Sequence, residues 1–375
     1  MDPGVCLLGP GGRGGIQSYT RSLAAHLRAT WPGRPVTVID TRGPRGATSG
    51  LWLAAALARL VVAAATGRAQ AAHLMASERL SLPRKALLAA AARLLGLRVI
   101  VHHHGADLIA PEGAPGPVGR AALRLTARAA HRHLVLGRAW AQVLTAHGAP
   151  PDRVEVLANA LPDAPPEVPE PARTRSDGRP LRILFLAVMT ERKGARVLLR
   201  ALARLRAQGI AFEALLVGDG PDRAAAMAQA ADLGLDPGAG VFFPGSASAA
   251  EAARLMAWAD VLAHPSAREG LPITLLEAMR AGLPALAAPV GAIAEHLPDG
   301  AGLRHVPAGD AGAWAGALAA LAGDDAERAA LGAAGRAAFA ARFRFDAHAA
   351  RLAALYGWTA APAAARGGAR DPAFP

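Results

Sequence analysis

Two glutamates with seven residues between them, Glu269 and Glu277, mark the stretch of the chain best suited to chemistry. The second falls in a segment that should form a helix, because Pro272 stands just before it and Gly282 just after it. A helix start directs free N–H groups and the positive end of its dipole toward the preceding loop. The pattern therefore predicts an anion site, suited to phosphate, between two carboxylates.

A glycine-rich loop at residues 9–15, GPGGRGG, is a second candidate. It satisfies G-x-G-x-x-G between a strand and a helix, and Asp40 closes the next strand, so a nicotinamide-dependent oxidoreductase is one hypothesis. The match is weak, because five glycines in seven residues fit many templates and Asp40 lies further along than the usual spacing of about 20 residues. Whether or not that hypothesis holds, bare N–H groups at a helix start suit a phosphate or a sugar.

Three consecutive histidines, His102 to His104, invite the hypothesis of a metal site. We expect none, because three neighbours at a strand end should not all point inward. No acidic or cysteine partner lies close to them in sequence either.

Composition narrows the class of protein. The chain has 375 residues, enough for about two domains, and its 41 basic against 29 acidic residues give a net charge of +12. That charge suits phosphorylated molecules or an anionic membrane face, whereas only 4% aromatic residues argue against nucleic acid. One cysteine and the absence of a signal-like N-terminus predict a cytoplasmic protein. The longest apolar run, residues 51–66, is too short to span a bilayer.

Apolar strands alternate with helices through both halves of the chain, which predicts parallel sheets covered on both faces. The expected fold class is α/β, with two doubly wound Rossmann-like domains and a ligand cleft between them. The predicted boundaries are a first domain over 1–165, a proline-rich linker over 166–180, a second domain over 181–343, a helix near 344–358 that rejoins the first domain, and a disordered tail over 359–375.

Residues 265–295, PSAREGLPITLLEAMRAGLPALAAPVGAIAE, closely resemble the donor-site signature of GT-B glycosyltransferases of family 4. In that family, two glutamates with seven residues between them precede an EAM-x-x-G-x-P segment. Other segments resemble the family more weakly and occur in the same order as in the family. Among them are FLAVMTERKG (185–194), LLVGDGPD (215–222), FFPG (242–245) and, in the first half of the chain, HHHGAD (102–107). The resemblance extends over nearly the whole chain, to about Trp358.

The resemblance implies roles for the donor-side residues. Glu277 would accept hydrogen bonds from the ribose hydroxyls, and Glu269 would act as a catalytic group beside the transferred sugar. Lys193 would neutralise the leaving diphosphate in place of a metal ion. The remaining donor-binding residues would be Gly270, Leu271, Pro272, Arg192 and Gly245.

On the first domain, His104 would be a second catalytic group facing the sugar, and Gly12, Gly14 and Gly15 would form the acceptor-side loop. One position departs from the family pattern. Val188 stands where the family has an arginine as a second phosphate cation, so we expect weaker donor binding unless Arg192 compensates. A degenerate, non-catalytic partner protein is therefore another hypothesis.

The activity that the resemblance implies is a retaining transfer of a hexose from a nucleotide-sugar to an acceptor hydroxyl. The expected pathways are polysaccharide, glycolipid or cell-envelope glycan synthesis, with no cofactor and no required metal. The expected partners are the donor and a saccharide or lipid-linked saccharide acceptor, with no nucleic acid. Peripheral association with an anionic membrane at its inner face would fit the charge of +12.

Overall fold

The structure is a computed structural model that describes residues 2–11, 14–43, 49–77, 81–109, 115–163 and 178–358. The chain divides into two compact units, one of residues 1–162 with 344–375 and the other of residues 163–343. Residues 166–177 of the predicted linker, the last two residues of the predicted first domain, and the whole predicted tail, 359–375, lie outside the described residues.

The first unit contains a parallel sheet of six described strands. The strands are β1 (Gly4–Gly9), β2 (Val36–Asp40), β3 (Ala69–Ala76), β4 (Arg98–His103), β5 (Arg132–Val135) and β6 (Val154–Val156). The helices between them are α1 (Gly15–Thr30), α2 (Ser49–Ala65), α3 (Ser81–Leu94), α4 (Pro117–Ala129) and α5 (Arg138–Ala146). The sheet order is β2-β1-β3-β4-β5-β6, and every residue of β1 is buried, as expected of a central parallel strand.

The second unit repeats this architecture with a sheet in the order β12-β11-β10-β7-β8-β9. Its strands are β7 (Leu181–Leu186), β8 (Phe212–Val217), β9 (Val241–Gly245), β10 (Val261–His264), β11 (Ala285–Ala287) and β12 (Leu303–His305). Its helices are α6 (Ala195–Ala207), α7 (Arg223–Asp232), α8 (Ala249–Trp258), α9 (Ile273–Ala281), α10 (Ile293–His296), α11 (Ala311–Gly323) and α12 (Asp325–Arg342). All its strand pairs are parallel.

The last described helix, α13 (Phe345–Tyr356), groups with the first unit. Its Arg351 forms two 2.6 Å hydrogen bonds with Glu155 in β6, and the Tyr356 hydroxyl lies 2.7 Å from Nδ1 of His73 in β3. The helix is therefore joined to both an edge and a central strand of the first sheet.

The predicted α/β class, with two parallel sheets, is confirmed. Strand β12 and helix α10, of three and four residues, were not predicted. Among the described residues, no helix is both long and apolar enough to cross a membrane.

Candidate functional site

Glu269 lies at the centre of a small polar cluster in the second unit. Its Oε1 accepts a 2.5 Å hydrogen bond from Nζ of Lys193 and lies 2.8 Å from Nε2 of His264. Burial alone would raise the pKa of Glu269, but Lys193 and His264 outweigh it and hold that pKa well below its usual range. The ionised carboxylate can only accept hydrogen bonds, so His264 donates from Nε2.

Adjacent strands bring these residues together, because β7 and β10 are neighbours in the sheet and their carboxyl ends lie side by side. Lys193 ends a 3₁₀ turn, Glu191–Lys193, after β7, and His264 is the last residue of β10. Gly194 has a φ of 76°, and a Cβ there would lie 2.3 Å from the carbonyl oxygen of Pro265. The Arg192 carbonyl accepts from the Ala267 N–H at 2.7 Å. Glycine at position 194 thus permits the close contact that puts Lys193 beside Glu269.

Helix α9 follows the loop as predicted: Pro272 is its N-cap and Gly282, at φ 63°, its C-cap. Gly270, Leu271 and Pro272 are buried in the loop before it. The Gly270 carbonyl accepts from the Ala292 N–H, and a Cβ at Gly291 would lie 1.9 Å from the Glu269 carbonyl oxygen. The segment of residues 291–295, GAIAE, therefore packs against this loop and fixes its path.

Glu277 lies in α9, one helical turn beyond the start, and is half-buried. Burial raises its pKa, an effect that Arg280 partly offsets. Among the described residues its carboxylate has no hydrogen bond or ion pair. A half-buried carboxylate without such partners is stabilised when a ligand donates hydrogen bonds to it.

Val188 and Gly245 lie at the same carboxyl edge of the second sheet. Val188 follows β7 and exposes 46% of its surface, and Gly245 ends β9 with a φ of 86°. The turn after β8 reaches this edge, because the Gly218 N–H donates to the Gly245 carbonyl at 2.7 Å. The edge thus presents an apolar side chain where the family pattern has a cation.

Two hydroxyl groups near the cluster are buried without a hydrogen-bond partner in the described part of the chain, Oγ1 of Thr190 and Oγ of Ser266. Neither they nor His264 were identified from the sequence as site residues. A polar residue at the carboxyl end of a parallel strand was the available signal for His264.

His104 lies in the first unit, just after β4, and is buried. Burial, with the neighbouring His348, lowers its pKa to about 3, so the ring is neutral near pH 7. Its Nε2 has no hydrogen-bond partner among the described residues, while its ring centroid lies 4.0 Å from that of His102 and 5.4 Å from that of Tyr19.

The expectation that His102, His103 and His104 could not all point inward is wrong, because all three are buried. Successive side chains alternate between the two faces of the sheet, and both faces are covered. His102 and His104 therefore share one face, and His103 lies on the other, where its Nε2 is 3.2 Å from Nδ1 of His133. Within the described residues, no group of three or more His, Cys, Asp or Glu side chains is placed to hold a metal ion.

The glycine-rich loop is described in part. Gly14 and Gly15 are exposed at the start of α1, and Gly12 lies outside the described residues. Oδ1 of Asp40 accepts from the N–H groups of Gly11, Arg42 and Gly43 at 2.7–3.2 Å. This oxygen therefore serves the local backbone, which weakens the hypothesis that Asp40 binds the ribose of a dinucleotide.

Lys85 supports the same loop from α3. Its buried Nζ donates to the Leu8 carbonyl at 2.9 Å and to the Thr41 hydroxyl at 2.5 Å. Burial, with some help from Arg84, lowers the pKa of Lys85 to about 7. The lysine thus joins the carboxyl end of β1, from which the glycine-rich loop starts, to the residue that follows β2.

Two family models match the chain. The model for the glycosyl transferase 4-like domain matches residues 14–160, and that for glycosyl transferases group 1 matches residues 180–324. Together they extend over most of the described residues of both units.

Similar proteins from other organisms are also named as glycosyltransferases. The putative colanic acid biosynthesis glycosyltransferase WcaL of Salmonella typhimurium is 29% identical over 48% of this chain and 45% of the relative. The amylovoran biosynthesis glycosyltransferase AmsK of Erwinia amylovora is 31% identical over 52% and 48%. A D-inositol 3-phosphate glycosyltransferase of Xylanimonas cellulosilytica is 33% identical over 66% and 62%. The chain thus spans about half the length of the first two relatives.

Solved structures match over nearly the whole chain. Anabaena HepE in complex with UDP-glucose has a TM-score of 0.73 at 20% identity, covering 94% of this chain and 99% of that one. Sucrose-phosphate synthase of Thermosynechococcus elongatus also has a TM-score of 0.73, at 19% identity, covering 95% and 98%. At these identities the likeness shows the fold, which is GT-B.

Proposed function

Because the chain belongs to the glycosyltransferases of group 1, we propose that it transfers a hexose from a nucleotide-sugar to an acceptor hydroxyl, with retention of the anomeric configuration. The observation that carries this proposal is the cluster of Glu269, Lys193 and His264 at the carboxyl edge of the second sheet, just before α9. It combines an ionised carboxylate, a cation and a helix start, the groups that a sugar diphosphate requires.

In this proposal Lys193 and the N-terminus of α9 stabilise the diphosphate as it leaves, so that no metal ion is required. Arg192, beside Lys193, and Gly245, at the same sheet edge, would border the nucleotide. The backbone of Gly270 and Leu271 would line the sugar. The UDP-glucose complex of the Anabaena relative supports a nucleotide-sugar as the donor.

Glu269 would accept a hydrogen bond from a sugar hydroxyl and stabilise positive charge at the anomeric carbon. Two donors keep it ionised, which suits charge stabilisation. Retention would follow from attack on the face that the diphosphate leaves, with the departing phosphate taking the acceptor's proton. Such a reaction requires positioning and charge stabilisation more than a separate base. His104, neutral near pH 7, would donate to or accept from a hydroxyl group as the second catalytic residue.

The acceptor would be a saccharide or a lipid-linked saccharide, bound beside the loop that contains Gly14 and Gly15. The relatives named for colanic acid and amylovoran biosynthesis support a role in polysaccharide or cell-envelope glycan synthesis. A cytoplasmic location at an anionic membrane face would bring the enzyme to a lipid-linked acceptor.

The donor is tested by screening UDP-, GDP- and ADP-sugars for thermal stabilisation, followed by an assay of transfer to saccharide acceptors. A bound donor raises the melting temperature by mass action. We expect one nucleotide series to stabilise the protein and to support transfer in the presence of EDTA. Absence of stabilisation by every series would contradict the proposal.

Glu277 gives a sharper test, because it is assigned to the ribose diol. We expect Glu277→Ala to lower affinity for the active nucleoside diphosphate about tenfold, the loss of a charge-assisted hydrogen bond. The variant should also stop distinguishing that diphosphate from its 2′-deoxy form in calorimetric titrations. Asp232→Ala, on the exposed end of α7, is the control and should bind as the wild type does. If Glu277→Ala keeps wild-type affinity and turnover, the ribose assignment is wrong.

A further inference from the structure

We propose that His264 is a positioning residue that holds Glu269 in place while Lys193 turns from Glu269 to the diphosphate of the donor. The inference rests on the proposed function, because it concerns a nucleotide-sugar at this site. Its starting observation is that Nζ of Lys193 and Nε2 of His264 both lie within hydrogen-bond distance of the same carboxylate oxygen, Oε1 of Glu269.

The two donors differ in how firmly they are held. The His264 side chain is 3% exposed and ends β10, which is paired with β7 on one side and β11 on the other. Lys193 extends from a short 3₁₀ turn, and 17% of its side chain is exposed. A long lysine side chain at a loop reorients easily, whereas a ring at the end of a central strand does not. Lys193 is therefore the donor that can leave.

Its departure has an electrostatic consequence. The Glu269 side chain is only 9% exposed, and a buried carboxylate that loses its donors is strongly destabilising. A diphosphate competes for the ammonium group of Lys193 with more negative charge than one carboxylate carries. With His264 in place, Glu269 keeps one hydrogen-bond donor when the diphosphate draws Lys193 away. The nucleotide-sugar therefore binds without leaving that carboxylate unpaired.

The shared contact also orients the carboxylate. Both donors hold Oε1, and Oε2 has no hydrogen-bond partner in the described parts of the chain. His264 thus keeps Oε2 directed away from the two donors and open to a sugar hydroxyl, whether or not Lys193 remains. This assignment gives His264, a buried polar residue with no direct part in the proposed reaction, a role in positioning Glu269.

The test compares nucleotides with and without a β-phosphate in calorimetric titrations of wild type, His264→Leu and His264→Gln. The probes are UDP against UMP, with the GDP and ADP pairs in parallel. We expect His264→Leu to weaken diphosphate binding about tenfold, as for loss of a hydrogen bond to a charged group, and to leave monophosphate binding unchanged. His264→Gln keeps an N–H donor of similar reach and should restore most of the diphosphate affinity. Thermal unfolding checks that each variant is folded.

A double-mutant cycle with Glu269→Gln isolates the electrostatic part. With a neutral side chain at 269, replacing His264 should no longer affect diphosphate affinity. Equal losses for UDP and UMP, or an unchanged ratio between them, would overturn the inference and leave the proposed function standing. Failure of the wild type to bind any of the diphosphates would instead reject the proposed function and the inference together.

Discussion

Val188 is the residue at which this chain departs from the pattern of the family it belongs to. It is 46% exposed after β7, beside the turn in which a Cβ at Gly218 would lie 1.8 Å from the Ala187 carbonyl oxygen. This edge of the sheet is therefore tightly packed in its backbone but offers an apolar side chain to a phosphate. Under the proposed function, Lys193 and the start of α9 would then supply the positive charge for the diphosphate.

Restoring a cation at this position gives a gain-of-function prediction. We expect Val188→Arg to raise affinity for the nucleoside diphosphate by about three- to tenfold, because a partly exposed guanidinium pairs favourably with phosphate. The gain should shrink as ionic strength increases, since salt screens exposed charges. Val188→Gln is a matched control of similar size without charge. An equal gain in that control would show that bulk, and not charge, is responsible.

At the scale of elements, α2 is unusual because its outward face is apolar. Leu51, Val61 and Val62 are 72%, 45% and 57% exposed, and Arg59 is the only charged residue between Ser49 and Ala65. An ordinary covering helix presents charged residues to solvent. The face therefore suits partial insertion into a lipid surface, which the net charge of +12 would favour if the lipid is anionic.

We expect the wild-type protein to float with vesicles that contain anionic lipid, and less so with neutral vesicles. Replacing both Val61 and Val62 with glutamate should keep the protein in the soluble fraction, because two carboxylates oppose insertion and repel anionic lipid. Met227→Glu, at an exposed apolar position of α7, is the control and should still float. A wild-type protein that stays soluble with anionic vesicles would rule out the membrane proposal.

At the scale of the whole molecule, the two units differ in their buried ionisable groups. The first unit buries six histidines whose pKa values are lowered, chiefly by burial, below the usual 6.5: His73, His102, His103, His104, His133 and His348. In the second unit, by contrast, burial raises the pKa of Glu277, and the buried carboxyl of Glu269 has a lowered pKa. Below pH 6.5 the unfolded first unit therefore binds protons that the folded unit excludes.

This difference predicts that the first unit loses stability first on acidification. Stability from the buried neutral histidines is present above pH 6.5 and falls as pH decreases toward their folded pKa values. Each histidine that takes up a proton on unfolding lowers the free energy of unfolding by about 1.4 kcal/mol per pH unit. Glu269 contributes stability that is present above the unfolded pKa of about 4.5 and is lost only at lower pH.

Hydrogen exchange at pH 7.5, 6.0 and 5.0 would follow the two units separately. We expect amide protection in β1, β3 and β4 to decline between pH 6.5 and 5, while β7, β8 and β10 remain protected. Loss of protection in both sheets at the same pH would contradict this prediction.

The sequence by itself determined the features that depend on residues close together in the chain. Alternating apolar strands and helices predicted the α/β class, and Pro272 and Gly282 predicted both ends of α9, because helix boundaries reflect local backbone preferences. The spacing of Glu269 and Glu277 led to the family in the same way.

Only the tertiary structure decided which distant residues meet. Lys193 and Glu269 are 76 positions apart, and they pair because β10 lies next to β7 in the sheet. Tyr19 and His348 are 329 positions apart, and their contact requires α13 to pack in the first unit. Strand order and the packing of helices on a sheet arise from the burial of many side chains together, so one sequence pattern specifies neither. For that reason His264 was visible in the sequence, but its contact with Glu269 was not.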